Sequence, residues 1–250
     1  MRADSVLGTG GVRSLSVVLP ARDEAETIAD AVHAALRELT ARGIPGEVLV
    51  VDDGSRDRTA AVVHAIPDPR VRLLRHARGQ GYGAALRTGL TSARCGHVFF
   101  TDSDGQFDLA ELSRLEPWAA DYDLVVGYRA PRRDPWGRRL LGWAWSGLLD
   151  VVLELGVRDV DCAFKLLRRS AVADLGLCSR GAFVNGELLA RARARGLTVA
   201  EVPVSHFPRT AGASSGARVR VVGRAVGELW TLGPELRRLR SAPASTGEVG

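Results

Sequence analysis

The chain is most constrained by an alternation. Five short apolar runs, separated by stretches with helical spacing, fill residues 15–129. LSVVLP (Leu15–Pro20) closes on Pro, and DEAETIADAVHAALRELTARG follows it. There Ile28, Val32, Ala35, Leu36 and Leu39 fall at helical spacing, and Gly43 supplies a stop. EVLVVDDGS leads into RTAAVVHAI, VRLLRH into GYGAALRTGLTSA, and HVFFTDSDG into LAELSRLEPWA; DLVVGYR is the fifth run. Strands alternating with helices predict βαβ units in an α/β fold, with a mostly parallel central sheet and flanking helices. Beyond Arg129 the pattern loosens. APRRDPWGRR reads as a loop, LLGWAWSGLLDVVLELGV as a long helix, DCAFKLLRRS and LTVAEVPVSHF as further strands, and NGELLARARARG as a helix. Asp150 and Glu154 argue against a membrane span for the long helix.

Sheets of this kind bind ligands at the carboxyl ends of their strands. The polar residues gather there: Pro20–Glu24 after the first run, Asp52 and Asp53 after the second, Asp102–Asp104 after the fourth, Arg129 after the fifth. In FFTDSDGQFD an apolar run meets Asp102, Asp104 and Asp108, with Gln106 between the last two. Carboxylates so close resist ionisation unless something positive sits among them. One reading is a solvated turn with an Asp cap for the next helix. The other is a hard divalent cation. Side chains i and i+2 of an extended segment point the same way. Mg²⁺ takes one or two carboxylates and leaves other positions to phosphate oxygens and water. In VVDDGSRDRT, Gly54 permits an unusual backbone angle and Ser55 or Asp57 can cap the helix. A turn needs only one carboxylate, so Asp52 is the residue such a turn explains least. A carboxylate at a strand end can also accept hydrogen bonds from a base or a ribose hydroxyl.

The 250 residues suffice for one large α/β domain or two small ones. Cys95, Cys162 and Cys178 are widely spaced and form no zinc or disulfide pattern, which points to a reducing compartment. MRADSVLGTGGVRS lacks the apolar core of a signal peptide, so a cytoplasmic location is expected. A net charge of +5 suits anionic partners such as phosphates or acidic lipid surfaces. No basic stretch interleaves with stacking aromatics, which argues against nucleic acid. Of 34 Lys and Arg residues, Lys165 is the one lysine. A compact ammonium suits a phosphate oxygen.

LSVVLPARDEAETI, VVDDGSRDRT, GYGAALRTG, TDSDGQFD, CAFKLLRRS and EVPVSHFPRTAGASS occur in that order. Together they resemble the family 2 inverting glycosyltransferases of GT-A fold, a Rossmann-like nucleotide-diphospho-sugar transferase fold. The branch most resembled is that of polyprenyl- and dolichol-phosphate mannosyltransferases. The resemblance spans roughly Leu15 to Ser215. It implies a nucleoside pocket lined by Pro20, Arg22 and Glu24, with Val51 and Asp53 on base and ribose. Asp102, Ser103 and Asp104 would hold the donor diphosphate through Mg²⁺ or Mn²⁺, with Gln106 a further metal ligand. Asp104, Arg129, Lys165 and Arg209 match the catalytic positions, the three cations lying around donor and acceptor phosphates. The chain departs from the family at Asp23-Glu24, where Asn-Glu is usual, at Arg22, where an aromatic is common, and at Gly105, where Leu is usual.

The resemblance implies a single displacement with inversion, moving a hexose from a GDP-mannose or UDP-glucose type donor to a polyprenyl phosphate. The alternatives are a soluble hydroxyl acceptor in natural-product or polysaccharide assembly, and a sugar-nucleotide-binding protein without turnover. A lipid phosphate needs no general base, whereas a hydroxyl does. Asp161 and Glu187 are candidates for that base or for orienting the acceptor, and each also has a structural reading. Trp136, Trp143 and Trp145 lie near Arg132, Arg133, Arg138 and Arg139, a mixture suited either to a peripheral contact on the inner membrane face or to a core-packing helix. The expected organisation is a flexible N-terminus over 1–13, a GT-A domain over 14–215, an amphipathic helix over 216–240 and a disordered tail over 241–250. Val219, Val222, Val226 and Leu229 would share one face of that helix.

Overall fold

The computed structural model describes residues 11–130, 136–208 and 219–241. Side chains of 136–141, 143, 219–220 and 240–241 are outside that description. The order is β1 (Leu15–Ala21), α1 (Ile28–Arg42), β2 (Gly46–Asp52), α2 (Thr59–His64), β3 (Val71–Arg75), α3 (Tyr82–Ser92), β4 (His97–Thr101), α4 (Leu112–Leu115) and β5 (Leu124–Arg129). There follow α5 (Trp136–Leu153), β6 (Phe164–Arg168), α6 (Arg169–Val172), α7 (Val184–Ala194), β7 (Val199–Val204) and α8 (Val219–Ser241). The segment LAELSRLEPWA is not one helix. It is a single α turn, α4, between two 3₁₀ turns, Leu109–Glu111 and Glu116–Ala120. Pro117 lies at the start of the second and removes a helical donor. Asp108 accepts the Ala110 amide at 3.0 Å, so this carboxylate is the cap of the bland reading.

The strands form one sheet in the order β3-β2-β1-β4-β6-β5-β7. All pairs are parallel except those of β6, which runs antiparallel between β4 and β5. β1 is buried along its whole length, as a parallel strand covered on both faces must be. On one face α3 comes close enough that a Cβ on Gly89 would stand 2.3 Å from Val18 Cγ1.

The reversal of β6 positions the site. Thr101 pairs with Phe164 and Phe100 with Lys165, so the segment entering β6, Asp159 to Ala163, arrives at the carboxyl tip of β4 beside Asp102. Phe99 packs edge-on against Phe164 with centroids 4.7 Å apart. Phe107 joins the same stack at 5.4 Å from Phe164 and 5.1 Å from His206. This aromatic seam holds together the ends of β4, β6 and β7.

α8 packs on α7 and α5. It buries Ala225, Leu229 and Leu236, with Leu232 partly buried against the core. Val222 and Val226 are only half-buried, so the buried stripe is rotated from the expected one; the side chain of Val219 lies outside the described residues. Among the described residues no helix is long and apolar enough to cross a membrane.

Candidate active site

The tips of β1 and β2 are stitched together first. Asp23 sits at φ 54°, a left-handed conformation that Asp tolerates better than most residues. Its amide donates to Ser55 Oγ at 2.9 Å, and its carboxylate accepts the Arg56 amide at 2.7 Å. Glu24 accepts Thr27 Oγ1 at 3.0 Å, and its amide donates to Thr59 Oγ1 at 2.9 Å. Asp52, fully buried, accepts the Ser55 amide at 2.8 Å and pairs with Arg75 of the neighbouring strand at 3.1 Å. The two adjacent carboxylates therefore divide their duties: Asp52 closes the turn and Asp53 reaches across to the next loop.

Asp53 accepts the amides of Gln80 and Gly81, both at 2.8 Å, and His76 Nδ1 lies 2.7 Å away. Arg22, half-exposed at the mouth, approaches Asp53 at 3.6 Å. Asp53 is thus the fastener of the loop before α3, a duty different from the direct ribose contact the resemblance implies. The Val51 side chain is fully buried in β2, which leaves only its main chain for a base. Pro20 is buried at the tip of β1, and its carbonyl accepts Ser103 Oγ at 3.0 Å.

The β4 tip carries the DSD element. Asp102 is half-buried, and Asp104 is buried with its carboxylate accepting the Gln106 amide at 3.1 Å. Gly105, at φ 73°, turns the chain between them and Gln106. Gln106 Nε2 donates to the Phe207 carbonyl at 3.0 Å, and the Phe207 amide returns to the Gln106 carbonyl at 2.8 Å. The expected metal ligand Gln106 therefore spends its amide group tying the acidic loop to the segment after β7. Only its Oε1 could face a cation.

Opposite lies the β6 entry. Arg129, at the end of β5, forks onto Asp159 with two contacts of 2.7 Å. Lys165 has no exposed surface. Its Nζ donates to the carbonyl of Val160 at 3.0 Å, to Asn185 Oδ1 at 3.1 Å and to the Cys162 carbonyl. It also lies 5.5 Å over the Phe100 ring. Burial lowers its pKa. All three donors of this lysine, expected to face a phosphate, serve neutral acceptors inside the fold. Glu187 is fully buried and accepts the Cys178 amide at 2.9 Å, the Ser179 amide at 2.8 Å and Arg191 Nε at 2.8 Å, contacts that match its structural reading. Arg209 lies outside the described residues, as do Arg132 and Arg133 and the side chains of Trp136, Arg138, Arg139 and Trp143.

Residues 16–176, from β1 through the DSD tip and the β6 entry, match the glycosyl transferase family 2 domain. The chain belongs to glycosyl transferase family 2. This makes it an enzyme of the glycosyltransferase class. The dolichyl-phosphate beta-glucosyltransferase ALG5C of Trichomonas vaginalis is 32% identical over 210 residues, covering 75% of this chain and 62% of that protein. The undecaprenyl-phosphate 4-deoxy-4-formamido-L-arabinose transferase of Edwardsiella ictaluri is 28% identical over 217 residues, covering 84% and 65%. This chain thus spans less than two thirds of either lipid-phosphate transferase. An uncharacterized glycosyltransferase of Mycobacterium tuberculosis is 34% identical over 212 residues, covering 80% and 88%. Among solved structures, the glucosyl-3-phosphoglycerate synthase of Mycobacterium tuberculosis with Mn²⁺ and UDP-glucose shares the fold. It has a TM-score of 0.68 at 23% identity, covering 93% of this chain and 81% of that one. The fold is GT-A.

Three further residues of this family 2 transferase, none of them read from the sequence as part of the site, face the same acidic tip. The Tyr82 hydroxyl is buried against Asp102 and feels Asp104 and Asp161; burial first, then Asp102, holds its phenol well above the usual value. Trp145 of α5 lies near Asp161, and Asp159 orients Arg129. The signal for Tyr82 was present: an aromatic between two glycines at a helix start is an odd choice for a surface turn.

Asp161 yields a pH-dependent prediction for the transferase. Burial raises its carboxyl from 3.8 to about 6; Lys165 and Arg129 oppose the rise and Asp159 adds to it. The folded state holds this proton more tightly than the unfolded chain. Stability therefore falls as pH climbs from the ordinary carboxyl value to about 6, and the penalty is complete above it. Asp161→Asn should stabilise the metal-free protein by on the order of 1–3 kcal/mol near pH 7, and by almost nothing below about pH 4. Urea melts in EDTA at the two pH values measure this. A gain that is constant with pH would rule out the buried charge as its source.

Proposed function

We propose that this transferase moves a hexose from a nucleoside-diphosphate sugar to a polyprenyl phosphate, with a divalent metal at the DSD tip. The carrying observation is the β6 reversal, which sets Asp161 beside Asp102 and Asp104 at one sheet edge. Relatives named for dolichyl- and undecaprenyl-phosphate acceptors support the acceptor class. A fold relative solved with Mn²⁺ and UDP-glucose supports the donor and metal classes.

The donor set fits a hard cation: Asp102 and Asp104 offer carboxylate oxygens, and Gln106 Oε1 lies on the same loop. Among the described residues no three His, Cys, Asp or Glu side chains form a ready metal cage, so phosphate and water would have to complete the shell. When bound, Mg²⁺ or Mn²⁺ would offset charge developing on the leaving diphosphate. The chain's own residues do the rest. Asp53 fixes the loop before α3, so the nucleoside side of the pocket is preformed. Arg22 guards its mouth. Asp159 holds Arg129 rigid near the acidic tips. A lipid phosphate arrives anionic and needs no proton removed. Peripheral contact with the membrane that carries such an acceptor is supported by exposed Leu148 and Val151 on α5 and Trp230 on α8.

A second reading, a hydroxyl acceptor, is favoured by Asp161 itself. A carboxyl at about 6 is poised to act as general base near neutral pH. One experiment separates the readings. Purified protein receives a panel of GDP- and UDP-sugars with short polyprenyl phosphate or phosphoglyceric acid, in Mn²⁺ or EDTA. The expected result is Mn²⁺-dependent nucleotide release and a product that extracts into organic solvent. Undiminished release in EDTA overturns the metal, and a product confined to water with phosphoglyceric acid transfers the assignment to the hydroxyl reading.

A further inference from the structure

The family match ends at residue 176, yet α8 packs on α7 and reaches the loop that precedes it. Its Glu228 carboxylate accepts the amides of Arg180 at 3.0 Å and Gly181 at 2.9 Å. These two amides begin no regular element, so an outside acceptor must satisfy them. The same loop then turns its Arg180 carbonyl toward α3, where it accepts the Gly83 amide at 2.9 Å. The approach is tight: a Cβ on Gly81 would stand 2.2 Å from that carbonyl, and Gly81 adopts φ 111°, where side chains are strained. Immediately before it, the Gln80 and Gly81 amides clamp Asp53, and immediately after it Tyr82 meets Asp102.

From these contacts we infer that Glu228 is a positioning residue for the donor site. It acts through the 180–181 loop to hold the start of α3, and with it Asp53 and Tyr82, in binding geometry. The inference rests on the donor reading above for its consequence but not for its mechanics. Without the carboxylate, the 180–181 amides turn to water, the Arg180 carbonyl loses its fixed direction, and the glycine-flanked turn regains the freedom that Gly81 and Gly83 permit. Helix α8 thus does more than cover the core. A charge-assisted contact on it sets the shape of a pocket formed by residues far away in sequence.

The test uses the full chain with Glu228→Ala, Glu228→Gln and, as control, Glu235→Gln. Glu235 pairs with Arg191 at 3.0 Å from the same helix and touches neither residue 180 nor 181. Two readouts are taken well below the melting temperature: hydrogen exchange of residues 77–84, and UDP affinity in Mn²⁺ by calorimetry. Glu228→Ala should speed exchange of 77–84 and weaken UDP about tenfold, a fraction of what a charged hydrogen bond contributes. Glu228→Gln keeps an acceptor and should recover most of both. Glu235→Gln should match the parent. Unchanged exchange at 77–84 in Glu228→Ala overturns the inference, and so does faster exchange with unchanged UDP affinity. Failure of the parent protein to bind any nucleotide would sink the donor reading instead, and the exchange arm alone would then decide whether Glu228 orders α3.

Discussion

Asp104→Asn should reduce sugar transfer by about 10²–10³-fold or more while leaving the fold intact, a loss of the size seen when one electrostatic contact to developing charge is removed. Asparagine keeps the oxygen that accepts the Gln106 amide at 3.1 Å, so the Gly105 turn has no reason to open. What goes is one negative charge at a tip where Asp102 and Asp161 also lie. Without a cation that charge is a burden, so the metal-free variant should melt no lower than the parent. With Mn²⁺ and UDP the order reverses. A ligand that binds only the folded state raises the melting temperature in proportion to its affinity. The parent should gain several degrees and the variant little. Loss of function together with retained or improved apo-stability is the signature of a site residue. Full activity in Asp104→Asn, or an equal Mn²⁺-dependent gain in both proteins, would remove Asp104 from the metal site.

The strand tips were legible because period and punctuation agree there. Pro20, Asp52-Asp53 and Asp102-Ser103-Asp104 each end an apolar run, and parallel sheets place such ends on one edge. The direction of β6 was not legible. FKLLR looks the same in either sense, and its orientation is set by tertiary pairing with Thr101 and Phe100 and by the Phe99–Phe164–Phe107 packing. That one reversal delivers Asp159 and Asp161 to the site, so the acidic cluster was only half visible. Carboxylate duties were also hidden. Asp53 and Glu187 each end on backbone amides 8 to 28 residues away in sequence, distances at which no spacing rule operates. The α8 stripe was misplaced by part of a turn because valine and alanine differ little in periodicity, and the packing partner α7 decides which face is buried.

Lys165→Met tests whether a lone lysine serves substrate or fold, and here the fold should suffer most. Methionine nearly matches the stem of lysine and adds apolar contact beside Phe100. It offers no donor to the Val160 carbonyl, the Cys162 carbonyl or Asn185 Oδ1. Each buried acceptor left unsatisfied costs about 1–3 kcal/mol, against about 1–2 kcal/mol regained from burying an apolar chain end. A second cost is electrostatic, because Lys165 is the largest influence holding the Asp161 carboxyl down against burial. Removing one partner from a buried charged network commonly costs about 3–5 kcal/mol, and a net loss of that order is expected here. For a chain of this size that is a fall of roughly 10 °C in melting temperature. Adding Asp161→Asn to the variant should return part of the loss, since the stranded carboxylate is then neutral; a coupling of about 0.5–3 kcal/mol is the range for groups in one network. Urea melts of the four proteins measure the cycle. Unchanged stability in Lys165→Met, with UDP affinity in Mn²⁺ sharply reduced, would reverse the conclusion. The ammonium would then belong to the diphosphate, and its three internal acceptors would be incidental.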